Sequence, residues 1–171
     1  MSGSTTKRVL LERFDREPIR GFVNPQTMLQ AGGVEILRPD GSLAVVPFEQ
    51  IKAVCFVRDL EGDAVFAERT QFATRPKSTG LWVSLEFRDG AHLEGIIPNN
   101  LLQLDALGYT LSPPEATGNA QRVFVPRQAL KEIQVLGVIG TPRPPGRRPK
   151  PQPVEQIKLF GEDPAAEADA R

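Results

Sequence analysis

His92 is the only histidine of the 171-residue chain and Cys55 its only cysteine. A histidine acting as a general base needs a carboxylate to orient it and a nucleophile to deprotonate. Glu94, two residues on, can share a face with His92 if the segment is extended. The plainer reading of His92 is an exposed strand histidine beside the Asp89-Gly90 turn. Cys55 stands between Val54 and Phe56. A reactive thiolate wants an electropositive, accessible setting, so Cys55 reads as an inert core residue. One histidine and one cysteine speak against a zinc site and rule out an intrachain disulfide. Arg16 and Arg20, four apart, have the spacing to clasp phosphates bidentately, or else are solvated arginines in a turn. No phosphate loop, dinucleotide-binding glycine pattern or paired-ligand helix is present. The expectation is a protein that is not an enzyme and carries no cofactor and no metal.

Composition narrows the class. Apolar residues make up 40% of the chain, enough for a core, and 16 prolines with 15 glycines predict many turns and short strands. No apolar run reaches the 18 residues of a membrane span. The first seven residues lack the apolar stretch of a secretory signal. With a single cysteine, this points to a cytoplasmic protein. Basic and acidic residues balance at 21 each; residues 141–171 hold six basic and five acidic groups, which leaves the rest near neutral. A near-neutral chain lacks the positive field of a strong non-specific nucleic-acid binder, although a basic face can still hide in a neutral total.

The elements that must position these residues come in two copies. Val9-Leu10-Leu11-Glu12-Arg13-Phe14-Asp15 lies over Val83-Ser84-Leu85-Glu86-Phe87-Arg88-Asp89 at an offset of 74, which continues to Gly21 over Gly95. A second block aligns at offset 75, with Gly33 over Gly108 and Ile36 over Leu111. A third aligns at offset 79, with Val46-Pro47 over Val125-Pro126 and Ile51-Lys52 over Leu130-Lys131. Each copy reads as five short strands: 9–14 or 81–87, 19–23 or 92–97, 34–37 or 108–111, 43–46 or 122–125, and 51–57 or 130–136. A glycine in mid-strand, Gly21 or Gly95, predicts a sharp bend. Phe48-Glu49-Gln50 and Arg127-Gln128-Ala129 predict a tight turn between the last two strands. The pattern predicts a mostly β protein of two tandem five-stranded small barrels.

A strand, an Asp-Gly turn, a strand with a central glycine, and then Val-Phe-Val-Pro-Arg-Gln-Ala-Leu-Lys-Glu-Ile resemble the Sm-like barrel of the LSm proteins and of the bacterial RNA chaperone Hfq. There too strand four runs through a tight turn straight into strand five. The resemblance covers residues 9–57 and 83–136. Closer still, residues 51–63 resemble an uncharacterised bacterial family of paired small barrels, which brings no activity with it. The Sm-like resemblance implies RNA binding through the loops after strands two and four. However, the Tyr-Lys-His stretch of the chaperone and the Asp-x-Asn signature of the LSm proteins are both absent here. Arg127, Lys131 and the tail cations Arg143, Arg147, Arg148 and Lys150 remain as RNA contacts, with Phe48, Trp82 and Tyr109 as stacking platforms. The resemblance also implies that strand four of one unit pairs with strand five of the next, so the two copies can form an internal pseudo-dimer and open edges can self-associate. The Arg16-x-x-x-Arg20 spacing is similar to one element of the cyclic-dinucleotide-binding PilZ domains, whose Asp/Asn-x-Ser-x-x-Gly element does not occur here.

The expected organisation is a first barrel at 7–58, a linker at 59–79, a second barrel at 80–138 and a disordered tail at 141–171. In the linker Val65, Phe66 and Phe72 are too apolar for a free tether and should pack on a barrel flank. The tail holds six prolines and four basic residues within 142–153, then the apolar motif Val154, Ile157, Leu159 and Phe160, in which Val154, Ile157 and Phe160, three apart, suit one face of a short docking helix. The favoured function is a non-catalytic cytoplasmic adaptor that binds a protein partner, not a membrane, through its barrels and this tail motif. Sm-like RNA binding comes second and cyclic-dinucleotide binding third.

Overall fold

A computed structural model describes residues 5–115 and 117–140 of the chain. The first half contains β1 (Lys7–Arg13), β2 (Ile19–Val23), β3 (Leu29–Gln30), β4 (Gly33–Leu37), β5 (Leu43–Pro47) and β6 (Ile51–Val57). The second contains β7 (Gly80–Phe87), β8 (His92–Ile97), β9 (Gly108–Leu111), β10 (Ala120–Pro126) and β11 (Leu130–Ile139). Single 3-10 turns at Phe48–Gln50 and Arg127–Ala129 link β5 to β6 and β10 to β11, as the sequence predicts, and a third lies at Leu101–Gln103. The chain is mostly β, and its sheets are curled and antiparallel. No described helix is long and apolar enough to cross a membrane.

The halves repeat one strand order. In the first, β6 pairs with β1, β1 with β2, β2 with β4 and β4 with β5. In the second, β11 pairs with β7, β7 with β8 and β9 with β10. A single bridge between Ile96 and Ser112 joins β8 to β9. The corner between the second and third strands of the unit is thus one pair wide in both halves: Phe22 with Leu37, and Ile96 with Ser112. Gly21 and Gly95 sit at these corners. A methyl group on Gly21 would strike the Leu37 carbonyl and stand 2.9 Å from the Ile36 side chain, and one on Gly95 would strike Leu111. The mid-strand glycine is required by close approach of two strands at the bend. The short β3, which pairs with β4, has no counterpart among the described residues of the second half and no clear alternation to announce it.

One further ladder joins the halves: β10 pairs with β6, with Phe124 opposite Val54, Val123 opposite Cys55 and Arg122 opposite Phe56. It is a pairing of strand four of one copy with strand five of the other. Two cores result, and each borrows from the other half. Val9, Leu11, Ile36, Ile51 and Val54 of the first half are sealed by Phe124 of β10. Val83, Leu85, Phe87 and Leu93 of the second half pack with Leu10, Ala53, Cys55 and Val57 of β1 and β6. Hence β6, Ile-Lys-Ala-Val-Cys-Phe-Val, is apolar on both faces because both are covered. The linker supplies Val65 to the second core. Phe66 meets Phe87 edge to face at 5.2 Å, and Phe72 meets Trp82 at 6.2 Å. Asn119 ties the linker down: its side chain accepts from the Asp59 amide at 2.9 Å and donates to the Asp59 and Asp63 carbonyls at 3.0 and 2.9 Å.

Candidate binding surface

The alternation of β8 leaves His92 exposed. Across the ladder it faces Glu86, whose carboxylate is taken by Lys131 at 2.6 Å. Glu94 does not orient His92. Its Oε2 accepts from the Trp82 indole at 3.0 Å and from the Phe72 amide at 3.1 Å, which anchors the linker. Cys55 is fully buried; burial first, and then the nearby Glu12 charge, push its thiol well above the ordinary range. Arg20 donates to the Leu60 carbonyl at 2.7 Å. Arg16 lines a cleft with Arg13, Asp15, Glu49 and Gln50, where two carboxylates stand beside the two cations.

The residues singled out for RNA are placed as follows. The Arg127 guanidinium lies 4.7 Å over the Tyr109 ring and reaches the Asp105 carbonyl at 3.5 Å. Lys131 is raised above its usual range by the hydrogen bond and charge of Glu86, which Lys131 in turn holds below the carboxylate range. Phe48 is buried, and Trp82 is half-buried with the Phe72 ring beside it. Arg143, Arg147, Arg148, Lys150 and the tail motif Val154, Ile157, Leu159 and Phe160 lie outside the described residues.

The sequence pattern gave no warning of Glu12. It stands on β1, a strand that reads as half-buried, but the second half covers the supposedly open face. Its Oε1 is shut off from solvent with no hydrogen-bond partner among the described residues. Burial raises its pKa to about 7, against the pull of the Lys52 charge and a hydrogen bond from the Phe66 amide. Lys52 bridges the halves: it pairs with Asp89 at 2.7 Å and lies 4.1 Å over the Phe66 ring. Next to it the Arg88 guanidinium covers Phe14 at 3.9 Å and donates to the Glu49 carbonyl.

The open surface lies at the two strand edges that the internal ladder does not use. Among the described residues, β5 pairs with β4 alone and β11 with β7 alone. Leu43 and Val45 stand exposed on β5, and Ile133, Val135, Leu136 and Val138 on β11. On β11 the Val138 carbonyl accepts from Arg75 at 3.3 Å. A strand edge without a second strand, flanked by exposed aliphatic side chains, is the chemistry of strand addition, in which main-chain hydrogen bonds bind and alternate side chains select.

Residues 5–137 match a family of unknown function, DUF6982. The chain belongs to this family. No curated protein and no solved structure matches it. The DUF6982 match starts just before β1 and ends within β11, so the family unit takes in both halves, their shared ladder and both open edges. The tail motif falls outside it.

Proposed function

We propose that the chain is a non-catalytic binding protein, an adaptor that takes extended protein segments onto its open strand edges. The observation that carries this reading is the pair of strand edges with no second strand partner among the described residues, β5 and β11, with exposed aliphatic side chains on each. We read each half as a Sm-like unit; the 3-10 turn between its fourth and fifth strands and the four-to-five ladder between the halves support this. The tail motif at 154–160 adds a second contact, and a lone buried thiol suits a reducing cytoplasm. The RNA reading is less favoured, because Arg127 and Lys131 are engaged by Tyr109 and Glu86. The same holds for cyclic dinucleotides, because Arg20 is engaged by Leu60.

Affinity capture with the immobilised full chain tests the proposal. Proteins retained by the wild type should be lost with Val45→Lys or Val135→Lys and kept with His92→Ala. An identical set on all four baits would sink the edge reading. Single-stranded RNA bound at physiological salt, undiminished by both edge substitutions, would move the function to RNA.

A further inference from the structure

The internal ladder is half of a pattern. The fourth strand of the second half, β10, pairs with the fifth strand of the first, β6. The fourth strand of the first half, β5, and the fifth strand of the second, β11, have the same places in the repeat and no second mate among the described residues. We infer that β5 of one copy pairs with β11 of a second copy, head to tail, in the register of the internal ladder. This rests on the reading that the open edges bind protein strands, and names the partner as the chain itself.

The register can be transferred residue by residue. At the offset of 79, Phe124 of β10 corresponds to Val45, Val123 to Ala44 and Arg122 to Leu43; Val54 of β6 corresponds to Ile133, Cys55 to Gln134 and Phe56 to Val135. The internal pairs therefore become Val45 opposite Ile133, Ala44 opposite Gln134 and Leu43 opposite Val135. Side-chain directions agree. Val123 and Val125 face their own core while Phe124 enters the core of the other half. Likewise Ala44 and Val46 face their own core, and Val45 faces outward.

Exposure shows which side chains lack a neighbour. Phe124 is 1% exposed and Val54 0%, whereas their counterparts Val45 and Ile133 are 53% and 36% exposed. Leu43 and Val135 are 65% and 56% exposed. The transferred register sets these four aliphatic residues against one another in two pairs, the arrangement that stabilises neighbouring strands. Natural edges are usually guarded by a charge or an interior proline; Leu43–Val46 carries neither, and on β11 the charges of Lys131 and Glu132 and the Arg75 hydrogen bond to the Val138 carbonyl at 3.3 Å lie on either side of residues 133–135. Because β5 and β11 are different surfaces, the contact is heterologous and repeats into a ring or an open chain of copies.

Sedimentation velocity of the full chain from about 1 to about 100 μM brackets a micromolar Kd. The wild type should assemble as concentration rises. Val45→Lys and Val135→Lys, each folded by near-ultraviolet circular dichroism, should each be monomeric alone. Mixed, they should form a one-to-one heterodimer, because each retains the edge the other lacks. A wild type monomeric throughout, a single variant that assembles like the wild type, or a mixture that stays monomeric would each overturn the inference. A monomeric chain whose edges still capture other proteins would overturn this inference alone. A monomeric chain with no edge-dependent capture would overturn the adaptor reading as well.

Discussion

Glu12 and Glu86 occupy one position of the repeat, and Lys52 and Lys131 another. In the second half the two meet on an open sheet face, where Lys131 bonds Glu86 at 2.6 Å. In the first half the same face is roofed by the other repeat. Lys52 has turned to Asp89 and the Phe66 ring, and Glu12 is left with a raised pKa. The strands are the same and the surroundings are not. Whatever lies against a face, rather than the unit itself, decides whether its polar residues are ordinary surface groups or buried liabilities. The same holds for the edges. β6 is covered by β10, while β11 keeps its aliphatic side chains bare.

The comparison breaks most visibly at Phe124 and Val45. Phe124→Ala opens a cavity in the first core and should cost about 3–5 kcal/mol in urea unfolding. Val45→Ala at the matching position should cost under about 0.5 kcal/mol at dilutions where the chain is a monomer. Equal losses would mean that the internal ladder adds little to the first core.

Glu12 sharpens the contrast through pH. Below pH 4.5 it is protonated folded and unfolded, and has no effect on stability. From there to about pH 7 the folded chain holds a proton that the unfolded chain has released, so stability falls as pH rises, and the loss is complete above about 7. Its ceiling is about 3 kcal/mol. Glu12→Gln should flatten melting temperature against pH across this window and be more stable than wild type at pH 8. Glu86→Gln should show neither effect. A wild-type profile that rises over the window would contradict the burial of Glu12.

Smaller effects separate the lysines. Lys52→Met should destabilise by about 1–3 kcal/mol through the lost charged hydrogen bond, and should move the Glu12 transition to higher pH by removing its one favourable charge. Lys131→Met, on an exposed pair, should leave the melting temperature unchanged.

Much of this architecture is legible in the chain. The two copies, the central glycines, the turn after Val-Pro and the apolar linker residues each have a local physical signature. What local pattern does not carry is which faces the copies hide from each other. A trace of it exists in hindsight: Ala53 and Cys55 of β6 correspond to Glu132 and Gln134 of β11, so the outward face is apolar where it is roofed and polar where it is open. Glu12 has no such trace, because Glu86 at the same position sits in water. The RNA candidates Arg127 and Lys131 carry no local sign of their neighbours, and only coordinates show Tyr109 and Glu86 beside them.

The most direct test of the account is amide hydrogen exchange of the full chain at about 1 and about 100 μM, concentrations on either side of a micromolar Kd. Residues 51–57 and 120–126 should be protected equally at both, because their ladder is internal. Residues 43–47 and 130–139 should gain protection together at the higher concentration. Edges that exchange alike at both concentrations would contradict the claim that β5 and β11 complete the ladder pattern between copies.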